Sequence, residues 1–372
     1  MKTYCLLTVV FVFSFAVSTQ AAVQDVVWNG GTGSWMTQSN WTENTTDGSK
    51  WAIPGWVSDN PYNPGTWTST SNSGFAIIST GTAQVTPTSR PDARVERCYV
   101  GYGPGSVGNM QISGDYLGYK LYTASDVTST GNITQTAGIV TIEDYAYLGL
   151  GGQGTYNLQG GTLNVKTRLA LGWTASTSNS YLLNQTGGTI KAKDFRLGNY
   201  DNARGTYVIS GGSLLVDDYI ASYFDATFKV SGSDATSIQT LQIAMSRAAG
   251  TNNVLAFDLD EGGSTLIEVT GNVATGSARE GCYLGNVTLR IDTIDGFDGR
   301  IGDVYNLIWS ATTFDVAGLV FDNLSSTQFN YAVIPDTVRG GQVLKLTIVP
   351  EPMTLALLGI GSLFMAGRKR KE

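Results

Sequence analysis

The stretch "GTYNLQGGTLNV" at residues 154–165 aligns without a gap to "GTYVISGGSLLV" at residues 205–216. Around the first copy the apolar residues alternate: Tyr156 and Leu158, then Leu163 and Val165 after Gly160-Gly161, then Leu169 and Leu171 before Gly172. A spacing of two is strand periodicity. Each copy therefore reads as about three short strands separated by glycine turns, where glycine supplies positive φ or close backbone approach.

The pattern extends to both sides of this pair. "ITQTAGIVTI" at 133–142 resembles "LNQTGGTIKA" at 183–192, and Leu-Gly pairs close three units at Leu148-Gly149, Leu171-Gly172 and Leu197-Gly198. Small-Gly or Gly-Gly pairs end at Gly114, Gly138, Gly161, Gly188 and Gly212. Such a regular period marks stacked supersecondary units of ~24 residues. The expected fold is all-β, a right-handed parallel β-helix with rungs of ~24 residues stacked ~4.8 Å apart. Leu163 and Val165 should point inward, two rungs from their counterparts Leu214 and Val216. The competing arrangement is a β-sandwich of hairpins, which also yields short strands and glycine turns.

The flanks differ from this repeat core, which is expected over residues 96–240. Residues 23–95 hold six of the eight tryptophans, namely Trp28, Trp35, Trp41, Trp51, Trp56 and Trp67. They suit an N-terminal cap, since a solenoid end must be covered against edge pairing; a platform of aromatics for sugar rings is the other reading. Residues 241–349 alternate again, as in "NVLAFDLD" and "VLKLTIV", and either continue the solenoid or form a small β region. Cys98 and Cys282 would then be separated by about five rungs, roughly 24 Å. That is too far for a disulfide, which needs Cα atoms within about 7 Å.

Composition narrows the chemistry. The first 22 residues form a secretory signal peptide: Lys2, an apolar run from Cys5 to Val17, and small residues at Ala21 and Ala22. Without it and the tail, residues 23–352 carry 18 Lys+Arg against 29 Asp+Glu, a net charge of about −11. A chain that acidic repels nucleic acid. There is no histidine, so the usual general base and the commonest metal ligand are missing. Asp292, Asp295 and Asp298 recur every third residue with Asp303 nearby, a spacing unlike a calcium loop; they read as turn carboxylates. "GLGGQGTYN" has Tyr156 where a glycine-rich calcium repeat needs Asp. Lys166, Arg168, Lys191, Lys193 and Arg196 read as a solvent face. No catalytic residue, metal site or cofactor is expected, and the chain is expected not to be an enzyme.

The last 23 residues, 350–372, read "PEPMTLALLGIGSLFMAGRKRKE". They comprise Pro350-Glu351-Pro352, an apolar segment from Met353 to Gly367, and a basic stop of Arg368, Lys369, Arg370 and Lys371. This order resembles the PEP-CTERM sorting signal. The resemblance implies a bacterial exported protein handled by an exosortase, a membrane-embedded protease, with transfer to the cell surface or extracellular matrix. As a helix, fifteen residues at ~1.5 Å span about 22 Å, short of a ~30 Å bilayer core. The tail thus reads as a helical, temporary hold in the inner membrane, with the basic residues inside. The Trp-Asn-Gly-Gly opening and the Gln-Thr-Gly-Gly rungs resemble autotransporter-like repeats of bacterial surface proteins. The expected role is a structural or adhesive component of the envelope or exopolysaccharide matrix. The alternative is a secreted protein that binds or cleaves polysaccharide.

Overall fold

The computed structural model describes residues 25–43, 75–87, 94–173, 180–198, 203–245, 252–271, 281–294, 297, 299–323 and 328–350. The signal peptide, Trp51, Trp56, Trp67 and everything past Pro350 lie outside the described residues. Among the described residues, apart from one 3-10 turn at Gln38–Asn40, the regular elements are all strands. These described strands form one sheet of 17 and a second of 11.

The two sheets are the walls of a β-solenoid. In the second sheet, strands run in parallel from Thr32–Ser34 through Gln153–Leu158, Ser180–Gln185 and Arg204–Ile209 to Val320–Asn323. Tyr156 lies beside Leu183, and Leu183 beside Tyr207, so each step along the sheet is one repeat of the sequence. Farther on Val254 lies beside Thr288, across a longer coil. A hairpin sandwich would pair its strands antiparallel. Among the described strands, antiparallel pairing is confined to the two ends. Trp41–Glu43 pairs with Asp25–Trp28 at one, and Gln342–Val349 lies between Val304–Ser310 and Gln328–Pro335 at the other.

Inside, like positions stack into columns. Leu163 lies beside Ile190 and Ile190 beside Leu214; Val165 lies beside Ala192 and Ala192 beside Val216. All six are buried, as the alternation requires. Each fully buried Leu or Ile adds roughly 1.5–3 kcal/mol relative to an exposed one. The sequence pattern suggests three separate strands per coil. In Thr162–Leu171 the second and third instead run together, with a register shift between Val165 and Arg168; at Ile139–Ile142 and Tyr145–Leu148 they stay apart.

Two devices, one in the backbone and one a buried side-chain amide, account for the repeated "QT-small-G" signature. Gly138, Gly161, Gly188 and Gly212 all have φ between 68° and 78°. A Cβ on Gly161 would sit 2.2 Å from the Gly138 carbonyl oxygen, and one on Gly212 2.1 Å from that of Gly188. Only glycine satisfies both the backbone angle and the stacking. Beneath this column, the Gln185 amide donates to the Gly188 and Ser213 carbonyls and accepts from the Tyr207 hydroxyl at 2.6 Å. Gln135 does the same with Gly138, Thr162 and Tyr156. A buried amide with its partners in place holds the turn in one geometry; unpaired it would be costly.

The strand ladders continue past positions 96 and 240. Toward the N terminus they take in Phe75–Ile78 and Thr80–Val85; toward the C terminus they continue through Val254–Leu259 and Thr288–Thr293. Cys98 and Cys282 occupy one inner column, separated by seven steps rather than five, or roughly 34 Å. Both thiols are free and buried, and burial pushes the Cys98 thiol up to about 12.

Candidate functional site: an aromatic and arginine stripe

The outer face of the first sheet carries two neighbouring columns of large side chains. One runs Phe75, Arg97, Lys120 and, farther along, Tyr145, Arg168, Asp194 and Tyr219. The other runs Tyr99, Tyr122 and Tyr147, with Arg196 two coils on. The alternation that turns Cys98, Leu121, Ala146, Leu169 and Phe195 into the core turns these residues outward.

The rings form a connected stack. Tyr99 stacks on Tyr122 with centroids 5.0 Å apart, Tyr122 meets Tyr147 at 5.7 Å, and Trp173 covers Tyr147 at 4.0 Å. Tyr102 and Phe75 contact Tyr99 edge-on. Such pairs contribute ~0.5–1.5 kcal/mol each beyond area burial. The cations lie over the same rings: Arg97 is 4.8 Å from the Phe75 centroid, Arg168 5.5 Å from Tyr145 and Arg196 5.4 Å from Tyr219. Asp194, 11% exposed, is shared by Arg168 at 3.5 Å and Arg196 at 3.6 Å. Lys120 pairs with Asp144 at 3.5 Å, and Arg196 donates to the Tyr219 hydroxyl. Burial pushes the Tyr122 phenol up to about 12 and also raises Tyr147 and Tyr219. These hydroxyls stay protonated at neutral pH. The Nε atoms of Arg97 and Arg168 are buried without a hydrogen-bond partner.

Of the five basic residues read as a solvent face, Lys166, Lys191 and Lys193 are exposed, whereas Arg168 and Arg196 belong to this network. The tyrosine column escapes a reading of the sequence, although a signal is there: Tyr99, Tyr122 and Tyr147 recur close to the repeat period, each between two inward residues. Asp292 and Asp303 accept hydrogen bonds from nearby backbone amides, as turn carboxylates do; Asp295 and Asp298 lie outside the described residues.

The tail begins where the solenoid ends. Val349 closes the last strand, opposite Gln328, and Pro350 follows half-buried. Glu351, Pro352, the apolar segment and Arg368, Lys369, Arg370 and Lys371 lie outside the described residues. Among the described residues no helix is long and apolar enough to cross a membrane. No curated protein and no solved structure matches the chain. The PEP-CTERM protein-sorting motif matches residues 349–371. The chain thus joins a PEP-CTERM sorting motif to a β-solenoid body, which implies an exported protein sorted by an exosortase.

Proposed function

We propose that this protein is a structural or adhesive component of the bacterial envelope or exopolysaccharide matrix, and that its role is non-catalytic. The observation that carries the reading is the three-part tail directly after the last strand of the solenoid. In this reading the solenoid winds right-handed, the usual hand of parallel crossovers, with a coil of ~24 residues as its basic unit. Trp28, Trp35 and Trp41, buried and in edge-on contact, close its N-terminal end. The apolar segment Met353–Gly367 holds the chain temporarily in the inner membrane, with Arg368 to Lys371 inside. The exosortase meets Pro350-Glu351-Pro352, and the body passes to the surface or matrix.

The test is mass spectrometry of the mature protein from its native host. A C terminus near Pro350 to Met353 is expected, and Glu351→Ala should leave unprocessed chain in the inner membrane. Full-length chain ending at Glu372 on the wild-type surface would instead indicate a permanent anchor. The second reading, a secreted polysaccharide-binding protein, is favoured by one observation, the aromatic and arginine stripe.

A further inference from the structure

We infer that the strand Gln328–Pro335, at the C-terminal end of the first sheet, is the surface through which two copies of this chain pair. The two strands run antiparallel about a two-fold axis, so that the sheet continues from one molecule into the other. The inference goes beyond the proposed function and rests on it in one respect, the loss of the tail.

The free edges of the two sheets are unequal. Thr32–Ser34, Trp41–Glu43, Phe314–Asp315 and Val320–Asn323 each have a described partner strand on one side only, and they run for two to four residues. Gln328–Pro335 runs for eight, pairs in unbroken register with Gln342–Val349, and has no described strand on its other side. Natural sheets blunt their edges with short strands, charges, prolines and bulges. The sequence "QFNYAVIP" carries no charge, and its proline stands last. Its open side is a row of backbone donors and acceptors suited to another strand.

Exposed apolar side chains gather at the same end. Among the described residues ten large hydrophobic side chains are exposed, and six of them fall between Ile294 and Val338. Ile334 lies on the strand itself and Val338 in the turn that follows it. A lipid surface can cover such side chains but gives a strand edge no hydrogen-bond partner. The tail does not serve either. In the processed chain at most four residues follow Val349, ~14 Å of extended chain, against ~27 Å for eight residues of antiparallel strand. A second copy supplies both an edge and an apolar surface.

The strand is also compatible with itself. Phe329, Tyr331 and Val333 pack against the core, whereas Asn330, Ala332 and Ile334 are exposed. Residues opposite one another must share a face, since a slip of one residue would set core side against solvent side. Two nearly full-length two-fold registers meet this condition. One sets Tyr331 opposite the second Tyr331, and Asn330 opposite Ala332. The other sets Ala332 opposite the second Ala332, and Asn330 opposite Ile334. Neither brings like charges together, because the strand has none.

The test is sedimentation velocity on the mature protein isolated from its host, with mass spectrometry of the same sample. The expected mass in solution is that of two chains, falling to one on dilution. The double variant Asn330→Lys, Ala332→Lys sets like charges directly opposite in either register. It should weaken the dimer about tenfold or more, at an unchanged circular dichroism spectrum because both side chains are exposed. Thr155→Lys, on the second sheet, should leave the dimer intact. A nitroxide on Ala332→Cys lies within ~8 Å of its copy in either register, and should show dipolar broadening that mixing with unlabelled protein removes. A chain that stays single at every concentration is the result expected if another segment covers the strand, and it would overturn the inference. So would a dimer unmoved by the lysine pair, one weakened equally by Thr155→Lys, or one without broadening at position 332. A processed chain that stays single sinks the inference and leaves the proposed function standing; an uncleaved chain that pairs through this strand does the reverse.

Discussion

The solenoid has two outer faces built on one core, and they differ in what their polar groups do. On the second sheet the outward columns are rich in amides. Asn132 donates to Asn109, Gln84 to Gln111 and Asn184 to Asn157, coil to coil. An amide both donates and accepts, so stacked amides can serve one another. On the first sheet the columns carry arginine and tyrosine. Guanidinium donates without accepting, so an arginine column needs acceptors from elsewhere, and Asp194 supplies them for two coils at once. The core underneath is alike: Leu163, Ile190 and Leu214 behind the first face, and Tyr156, Leu183 and Tyr207 behind the second, are all buried. The lesson is that the inward half of the alternation determines the coil, while the outward half can be varied face by face.

The largest expected effect breaks the comparison by removing both faces together. Cys98 and Tyr122 are each raised to about 12, and Tyr156, Tyr181 and Tyr207 are raised by burial as well. Each stays protonated in the folded chain and ionises earlier in the unfolded one. Their stabilisation is therefore complete below the unfolded pKa and is lost as pH rises through the folded one. Stability should fall from about pH 9 to about pH 12. An absorbance titration should show the phenols of Tyr156, Tyr181 and Tyr207 ionising only as the chain unfolds. Ionisation of every phenol with unchanged circular dichroism would contradict the burial.

Next in size is Leu163→Ala, expected to cost about 2–5 kcal/mol in urea unfolding, the usual penalty for a buried leucine. A change below about 0.5 kcal/mol would place that strand face in solvent. Gln185→Leu should cost about 1–3 kcal/mol, because it strands the Tyr207 hydroxyl and the carbonyls of Gly188 and Ser213. A neutral or stabilising result would show that the turn needs no buried amide. Asn184→Ala, outside on the second sheet, should change stability by under about 0.5 kcal/mol, and a larger loss would mean that the amide stack carries the fold rather than decorates it.

Much of this is legible in the sequence. Alternation alone turns Tyr156, Leu158, Leu163, Val165, Leu169 and Leu171 inward, and all six are buried. The glycine spacing marks the turns because positive φ leaves few alternatives at Gly161 and Gly188. The outer coils are harder to see. The coil from Val254 to Thr288 is longer than the one from Tyr156 to Leu183, so the period fades although the pairing continues. The stripe is hidden for a related reason. Register shifts between Val165 and Arg168, and between Ala192 and Asp194, interrupt the strict repeat, and the outer column passes from Arg168 to Asp194 to Tyr219. Residues of unlike type in one column leave no repeat for the eye to find. Arg168 and Arg196 look like ordinary surface charges because Asp194, their shared partner, meets Arg168 only across coils.

The parallel register on which both faces depend can be measured directly. Thr155 lies beside Leu182 and Leu182 beside Thr206, all three partly exposed on the second sheet. Cysteines placed there in pairs can carry spin labels, since the buried Cys98 and Cys282 thiols, both raised in pKa, should resist thiol reagents. Adjacent coils lie ~4.8 Å apart and alternate coils about twice that. The pairs 155/182 and 182/206 should therefore show strong dipolar broadening by electron paramagnetic resonance, and the pair 155/206 weaker broadening. No broadening between positions 155 and 182 would contradict the stacked coils, and with them both outer faces.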